Sequence, residues 1–323
     1  PNRNKNADIQ EWLNLADEAY LESIDKSRGG AGIPIIWGTD AVHGHNNVIG
    51  ATLFPHNIGL GAANDPSLLR SIGEITAREV AVTGIDWIFA PTVATVKDNR
   101  WGRTYEGYSS ESDIVGEYSR EIVIGIQGDN LSELRSNPEK LISTAKHFVG
   151  DGGTYRGIDQ GNTILSLEDL LEQHGQGFYT AIDAGVQTIM ASFNSWNGDK
   201  IHGNKYLLTD ILKNQMGFDG FVVGDWNDEL QDKGIYQSFS PFLNDRENFL
   251  FVTEEIIGDS TQQSYPTWPS FLDHIMIGSG FMDLFEEKGT VRSVNIDEWI
   301  GGWSIYENLI SDHRPILLSL PIN

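Results

Sequence analysis

Cysteine is absent from the 323-residue chain. Neither a disulfide nor a thiolate metal site can therefore form. Basic residues are scarce, since 22 Lys and Arg stand against 46 Asp and Glu, for a formal net charge of −24. Binding to a nucleic-acid backbone needs clustered Lys and Arg, so this balance disfavours a nucleic-acid partner. It suits a neutral or cationic ligand, although solubility alone also accounts for it.

Long apolar runs are absent as well. None approaches the roughly 18 residues of a membrane-spanning helix, so we expect no membrane span. The chain is not poor in apolar residues, however, because they make up 39% of it and can bury a sizeable core. Its 35 glycines suit a fold with many tight turns between strands and helices.

Short apolar runs alternate with helical segments between residues 33 and 225. The runs predict strands at 33–38, 52–55, 87–91, 142–149, 188–193 and 221–224. Helices are predicted to begin at Asp65, Ser166 and Asn204, each a residue type that caps helix starts. This alternation predicts an α/β fold with a parallel sheet, either a (β/α)8 barrel or a doubly wound sheet. Only six strand units precede residue 227, so a barrel would be incomplete or atypically closed after the sixth strand.

The alternation stops after residue 227. Residues 228–323 contain turns rich in Pro, Trp and Ser, with shorter strand-like runs at 249–253, 273–277 and 315–320. We therefore predict two domains, a barrel portion at 1–227 and an α+β tail at 228–323.

Side chains suited to a polar ligand follow most of the predicted strands. They are Asp40, Arg103, Lys146 with His147, Met190 with Phe193, and Asp225 with Trp226. In a parallel barrel the carboxyl ends of the strands meet at one face, which is where the chemistry lies. A carboxylate, a guanidinium, an ammonium and an imidazole are therefore expected to converge on one small polar ligand.

Each of these residues also has a structural interpretation. Asp40 can cap a helix, Arg103 can pair with Glu106, and His147 can be a buried core histidine. Asp225 can be structural too. Lys146 is the hardest to explain in this way, because an ammonium group inside the apolar stretch 141–149 needs an anionic or polar partner.

Five motifs in this chain resemble those of glycoside hydrolase family 3. They are GTDAVHG at 38–44, FPHNIGLG at 54–61, RWGRTYE at 100–106, KHFVGDG at 146–152 and GDW at 224–226. The resemblance covers about residues 8–227 and keeps the family order. It implies the family's N-terminal (β/α)8 barrel and a β-glucosidase or exo-β-glucanase, which cleaves terminal non-reducing β-D-glucosyl residues with retention.

The resemblance also implies roles for individual residues. Asp225 would be the nucleophile, and Trp226 one aromatic wall of the site. The glucose hydroxyls would be bound by Asp40, Arg103, Lys146 and His147, with Met190 and Phe193 lining the pocket. The partner would be a β-glucoside or a β-glucan oligosaccharide, with no metal or organic cofactor, in a secreted or periplasmic location.

One part of the resemblance is missing. A retaining glycosidase needs two carboxyl groups about 5 Å apart. The family's acid/base is a Glu from a second domain, and nothing in this chain matches that domain. Glu106, Asp151 or a tail residue such as Glu254 is left as a substitute. An inactive glucose-binding protein is therefore an alternative to a hydrolase.

The tail carries a second resemblance, to the C-terminal half of the endonuclease/exonuclease/phosphatase superfamily. The strings are VGDWND at 223–228, FLDHIMI at 271–277 and SDHRP at 311–315. They imply a Mg²⁺-dependent phosphoesterase whose residues would be Asp225, Asn227, Asp312 and His313. The superfamily's first half, with its metal-binding Glu, is absent. The chain would then be a hybrid of two families joined at the shared GDWN string.

Overall fold

The computed structural model describes residues 9–27, 32–224, 249–251, 255–256, 262, 276–293 and 316–319. These residues fall into two compact units. The described residues of 6–18 and 36–225 form the larger unit, and those of 19–35 and 226–323 form the smaller one.

A parallel sheet of five strands is the basis of the larger unit. In spatial order the strands are β1 (Gly38–Thr39), β2 (Trp87–Ile88), β3 (Ile142–Phe148), β5 (Thr188–Ala191) and β8 (Phe221–Val223). The register places Trp87 opposite both Gly38 and Ile142, and Thr188 opposite both Thr144 and Phe221. Because all five strands are parallel, their carboxyl ends lie along one edge of the sheet. The α/β class with a parallel sheet is thus confirmed.

The predicted strand at 52–55 is wrong. These residues form a loop, in which the Phe54 amide donates to the His43 carbonyl at 2.9 Å. The amide and hydroxyl of Thr52 donate to the Glu79 carboxylate, at 2.9 and 2.8 Å. Side-chain and turn bonds therefore take the place of a strand partner here.

Four of the six predicted strands lie in the sheet of the described residues. The first is displaced, because β1 covers only Gly38–Thr39, while residues 33–37 form no strand and Ile33, Ile35 and Ile36 are exposed.

Helices follow or precede each strand of the larger sheet. They are α1 (Ile9–Ile24), α2 (Asn57–Ala63), α3 (Pro66–Ala81), α4 (Ser112–Gln127), α5 (Leu131–Ser136), α6 (Leu167–His174), α7 (Gln176–Asp183) and the π-type helix α8 (Tyr206–Gln215). Two of the predicted caps form, since Ser166 Oγ accepts from the Asp169 amide at 3.1 Å and Asn204 Oδ1 accepts from the Leu207 amide at 3.0 Å. The helix predicted to begin at Ser166 ends at His174, and α7 follows it after Gly175. None of the described helices is long and apolar enough to cross a membrane.

Glycines allow α3 and α4 to pack very closely. A Cβ atom added to Gly73 would lie 3.0 Å from Gly125 Cα, and one added to Gly125 would lie 2.4 Å from the Arg70 carbonyl oxygen. Against the sheet, Phe148 and Phe178 meet edge to face, with ring centroids 5.0 Å apart. Both rings are fully buried, and burial of each stabilises the fold by about 1.5–3 kcal/mol.

A small second sheet lies in the same unit. Its strands are β4 (Asn162–Thr163), β6 (Ser195–Trp196) and β7 (Asp199–Lys200), in the order β4-β6-β7. Strands β6 and β7 are antiparallel, and both come after β5 in the chain. They form part of the loops that follow the carboxyl ends of the main strands.

The smaller unit contains two antiparallel strand pairs. Strand β9 (Phe249–Phe251) pairs with β10 (Met276–Gly278), and β11 (Thr290–Ser293) pairs with β12 (Ile316–Ser319). Helix α9 (Ser279–Lys288) connects β10 to β11 and buries Phe285. Strands β9 and β12 lie within the strand-like runs predicted at 249–253 and 315–320, and β10 overlaps the run predicted at 273–277.

Candidate active site

A partly buried ion pair joins the first and third strands at their carboxyl ends. Lys146 lies in β3, is 5% exposed, and donates from Nζ to Asp40 Oδ1 at 2.7 Å. Asp40 directly follows β1, and its carboxylate side chain is about half exposed. Lys146 therefore has the anionic partner that its apolar surroundings require. Its other two N–H groups have no hydrogen-bond partner among the described residues, so they can donate to a ligand.

The Arg103 guanidinium is held by a carboxylate that spans its fork. Arg103 Nε and Nη2 donate to the two oxygens of Glu106, at 2.8 and 2.9 Å. Burial raises the pKa of Glu106, but the hydrogen bonds and charge of Arg103, together with the charge of Lys146, lower it more. The net effect is a pKa below the usual value, so Glu106 is ionised. The expected structural pairing of Arg103 with Glu106 does form, although Glu106 is largely buried rather than a surface acid.

His147 links this pair to a third carboxylate. Arg103 Nη2 lies 3.0 Å from His147 Nε2, and His147 Nδ1 lies 2.9 Å from Asp151 Oδ2. Asp151 Oδ1 also accepts from the Gly152 amide at 3.0 Å. Glu106, Arg103, His147 and Asp151 therefore form one continuous chain of hydrogen bonds.

The structure thus brings together four of the residues that the sequence singled out, and adds two anchors. We call Asp40, Arg103, Glu106, Lys146, His147 and Asp151 the charged cluster. Two cations and three carboxylates within it leave a formal excess of one negative charge. Every carboxylate accepts a hydrogen bond from a cation or from an N–H group. The cluster therefore offers charged donors and acceptors to hydroxyl groups.

Met190 and Phe193 differ in their surroundings. Met190 lies in β5, is almost buried, and pairs in register with Lys146 on one side and Val223 on the other. Phe193 lies in the loop after β5, where its ring stacks on His202 at 4.9 Å between centroids. Lys200 Nζ lies 4.6 Å from the same ring. The described ring contacts of Phe193 are thus with the β6–β7 region rather than with the charged cluster, and its pocket-lining role stays a prediction.

The predicted nucleophile lies outside the described residues. Asp225 and Trp226 follow Gly224, the last residue of the described stretch that contains β8. Strand β8 pairs with β5, so this stretch ends beside the strand that carries Met190. Asn227, Asp312 and His313, the residues of the phosphoesterase hypothesis, also lie outside the described part of the chain.

A row of three aromatic rings borders the charged cluster, and the sequence did not single it out. Ring centroids of His43 and His56 are 4.3 Å apart, and those of His56 and Tyr105 are 4.8 Å apart. Asn57, next to His56, donates to the Glu106 carbonyl at 2.7 Å. The motifs 38–44, 54–61 and 100–106 are therefore neighbours in space. All three motifs resembled the same family in the sequence, and this shared resemblance was the signal that could have predicted their proximity.

The described part of the chain contains no candidate metal site. Across those residues, no group of three or more His, Asp or Glu side chains is placed to hold a metal ion. Lys146 and Arg103 instead supply the positive charges at the carboxyl ends of the strands.

Comparison with known proteins identifies the family. Residues 3–244 match the family described as Glycosyl hydrolase family 3 N terminal domain. This match covers most of the chain, so the chain belongs to glycosyl hydrolase family 3. The first family resemblance is thereby confirmed. The comparisons do not support a resemblance of residues 223–323 to the endonuclease/exonuclease/phosphatase superfamily.

Two relatives and two solved structures define the similarity further. The chain is 34% identical over 67% of its length to a lysosomal beta glucosidase of Dictyostelium discoideum, and 28% identical over 60% to a periplasmic beta-glucosidase of Salmonella typhimurium. It is 60% identical over 68% of its length to an exo-1,3/1,4-beta-glucanase from a Pseudoalteromonas species, with a TM-score of 0.67. A beta-glucosidase from Listeria innocua in complex with glucose gives 31% identity over 62% of this chain and a TM-score of 0.58.

These matches cover only part of each relative. The aligned region spans 26% of the Dictyostelium protein, 24% of the Salmonella protein, 28% of the Pseudoalteromonas chain and 27% of the Listeria chain. The chain therefore corresponds to about a quarter of these proteins, and its matched residues belong to the family's N-terminal domain.

Proposed function

We propose that this chain binds a terminal β-D-glucosyl residue in the charged cluster and cleaves its glycosidic bond with retention, with Asp225 as nucleophile. The observation that carries the proposal is the partly buried Lys146–Asp40 pair next to the Arg103–His147 pair. Similarity to beta-glucosidases and to an exo-1,3/1,4-beta-glucanase supports the substrate class.

The charged cluster suits a neutral ligand with many hydroxyl groups. A sugar hydroxyl both donates and accepts, so it can bridge a carboxylate such as Asp40 and an ammonium such as Lys146. Hydrogen bonds to ionised groups are about twice as strong as those between neutral groups, which favours a sugar over the water it displaces. Asp40 remains partly exposed, so a ligand can reach this pair from solvent.

Cleavage would proceed through a glycosyl-enzyme intermediate. An Asp225 carboxylate oxygen attacks the anomeric carbon as the bond to the leaving oxygen breaks, and water later releases the glucosyl unit. Charged hydrogen bonds from Lys146 and Arg103 would hold the sugar ring in place during both steps. Met190 and Trp226 are expected to contact its apolar faces.

The acid that protonates the leaving group is the missing element. Glu106 is ionised and bound to Arg103, and Asp151 accepts hydrogen bonds at both of its oxygens. Neither is therefore suited to donate a proton, which removes two of the three substitutes suggested by the sequence. The chain is thus expected to favour substrates whose leaving groups need little protonation.

An activated 2-fluoro aryl β-glucoside tests the nucleophile without the acid. The aryl leaving group departs unprotonated, and the fluorine slows release of the glucosyl-enzyme. We expect the intact mass of the protein to rise by one fluoroglucosyl unit, mapped to the peptide that contains Asp225. Asp225→Asn should abolish the label because its amide is a poor nucleophile.

Two further variants make this result specific. Lys146→Met removes the buried ammonium at nearly constant volume, and should reduce labelling about a hundredfold by weakening sugar binding. Asp113→Asn, a substitution in the first turn of α4, should leave labelling unchanged. Absence of label on folded wild-type protein would rule out the catalytic proposal.

Glucose binding without turnover is the second candidate. It is favoured by the observation that all three carboxylates of the charged cluster are already engaged by cations or N–H groups. Calorimetric titration with glucose separates the two functions, because a binding protein would show a glucose isotherm that depends on Lys146 but would take up no label.

A further inference from the structure

The Asp151 carboxylate is the most constrained acidic group of the charged cluster. It lies in the turn directly after β3 and is 6% exposed. Its two oxygens accept from different donors, Oδ2 from His147 Nδ1 at 2.9 Å and Oδ1 from the Gly152 amide at 3.0 Å.

The direction of the hydrogen bonds that link Arg103, His147 and Asp151 follows from the chemistry of these three side chains. Arginine has five N–H donors and no acceptor, so the 3.0 Å contact between Arg103 Nη2 and His147 Nε2 requires a lone pair on Nε2. A neutral imidazole with a lone pair on Nε2 carries its proton on Nδ1. That proton lies in the 2.9 Å contact with Asp151, which accepts it as a carboxylate.

The turn that carries Asp151 has little room to move. A Cβ atom added to Gly152 would lie 2.5 Å from the Thr95 carbonyl oxygen, and one added to Gly153 would lie 2.3 Å from His174 Nε2. The Gly152 carbonyl also accepts from the Lys97 amide at 2.8 Å. The backbone of the turn therefore packs closely against the loop after β2 on one side and the end of α6 on the other.

His174 lies beneath this turn but does not compete for the carboxylate. It is 1% exposed, and neither ring nitrogen has a hydrogen-bond partner among the described residues. Burial lowers the pKa of His174 to about 4, with the charge of Asp151 acting in the opposite direction. Its ring is thus neutral near pH 7, and His147 is the imidazole to which Asp151 is hydrogen-bonded.

We propose that Asp151 is a positioning residue that holds the His147 proton on Nδ1, so that Nε2 accepts from Arg103 and fixes the direction of its guanidinium. Arg103 Nη2 then donates one N–H to Glu106 and the other to His147, while Nε donates to Glu106. The inference rests on the proposed function, since Arg103 and His147 matter for catalysis only if they bind the glucosyl unit.

Asp151→Asn tests this role with almost no change of shape. The single carbonyl oxygen of Asn can accept from Gly152 or from His147, but not from both as the carboxylate does. When it stays with Gly152, the amide N–H₂ faces His147 Nδ1 and forces the imidazole proton onto Nε2. An N–H group of the ring would then point at an N–H group of Arg103, and the two would separate.

Two measurements read out the effect independently. Correlation spectra of ¹⁵N-labelled protein report which imidazole nitrogen of His147 carries the proton, with His147→Gln for assignment. We expect Nδ1–H in the wild type and Nε2–H in Asp151→Asn near pH 7. Calorimetric titration should show glucose affinity reduced roughly ten- to hundredfold in Asp151→Asn. The Asp113→Asn variant should match the wild type in both measurements.

Several outcomes would overturn the inference. They are an Nε2–H tautomer in the wild type, or an Asp151→Asn protein that keeps both the Nδ1–H tautomer and its glucose affinity. If Asp151→Asn fails to fold, the wild-type tautomer still decides, because the hydrogen-bond chain allows only Nδ1–H. If the wild type binds no glucose, the proposed function fails, while the tautomers of the two proteins still test whether Asp151 positions His147.

Discussion

The two ends of the parallel sheet both bury polar side chains, but they satisfy them differently. At the amino end, Gln127 is 3% exposed and its amide oxygen is saturated. Its Oε1 accepts from the Ser143 amide and hydroxyl and from the Gln187 amide, and its Nε2 donates to the Gly185 carbonyl. At the carboxyl end, Lys146 makes one described hydrogen bond for its three donors, and Asp40 remains partly exposed.

The difference separates a structural network from a functional one. Gln127 ties together the segments that lead into β3 and β5, so its neutral side chain serves the fold, and its oxygen has no capacity left for a ligand. In the charged cluster, Lys146 keeps two N–H groups without a hydrogen-bond partner among the described residues, beside the partly exposed Asp40, although leaving such groups buried costs stability. Residual hydrogen-bonding capacity, rather than polarity or burial alone, therefore marks the candidate site.

Acid should destabilise the protein through its neutral buried histidines. Of the effects predicted for the free energy of unfolding, this one is the largest. Burial lowers the pKa of His45 to about 4, opposed by Glu79, and burial likewise lowers the pKa of His174 to about 4. Both folded-state values lie below the unfolded value near 6.5, so the unfolded state binds more protons between these limits. Stability should therefore fall as pH falls from 6.5 towards 4, by up to about 3 kcal/mol for each histidine.

Denaturant unfolding at a series of pH values measures this loss. His174 packs under the turn at the carboxyl end, so His174→Leu should flatten the slope between pH 6.5 and 4 compared with the wild type. His45→Leu provides the matched comparison for the second site, where His45 Nε2 contacts Thr83 Oγ1 at 3.1 Å. An unchanged slope in both variants would mean that neither histidine is held neutral in the folded protein.

Much of this arrangement was predictable from the sequence, because parallel strands impose it. The convergence of Asp40 with Lys146, which are far apart in the chain, follows from polar residues at the ends of apolar runs. Lys146 was identified by the cost of burying an unpaired ammonium. Both arguments depend on general rules of sheets and solvation. The first predicted that Asp40 and Lys146 converge, and the second predicted an anionic or polar partner for Lys146 without naming Asp40.

Other features depended on contacts that a local pattern does not contain. Residues 52–55 look like a strand, but their hydrogen bonds go to Glu79 and His43. Asp151 was considered only as a substitute acid, since a carboxylate four residues from His147 does not reveal which partner it binds. Glu106 was considered both as a substitute acid and as a partner of Arg103, and the pairing with Arg103 is the one that forms. The partners of Gln127 were equally hidden, because backbone groups of separate loops supply them.

Gln127→Leu should destabilise the amino end of the parallel sheet without weakening ligand binding at its carboxyl end. The substitution keeps similar volume but leaves the amides of Ser143 and Gln187 and the Gly185 carbonyl without this partner. We expect the free energy of unfolding to fall by about 3 kcal/mol, since each unsatisfied buried group costs about 1–3 kcal/mol and the neighbours partly relax. Denaturant unfolding measures the loss, and calorimetry at a temperature where the variant is folded should show unchanged glucose affinity.

A weakened glucose affinity in Gln127→Leu would contradict the separation of the two ends. It would mean that a change beside Gln127, where β3 begins, alters the position of the β3 residues that belong to the charged cluster. Lys146→Met is the opposite variant, because it should weaken binding about a hundredfold while changing stability by no more than about 1 kcal/mol.

Ser143→Ala should have the smallest effect, and it tests saturation most directly. The Ser143 hydroxyl is one of three donors to Gln127 Oε1, at 2.9 Å, and the amides of Ser143 and Gln187 are the others. Loss of one donor leaves the oxygen with two, which is the capacity of a carbonyl acceptor. We expect a loss of only about 0.5–1 kcal/mol in the free energy of unfolding, the net value of one ordinary hydrogen bond. A loss near that of Gln127→Leu would show that the hydroxyl is indispensable, and that the amino end is no better satisfied than the charged cluster.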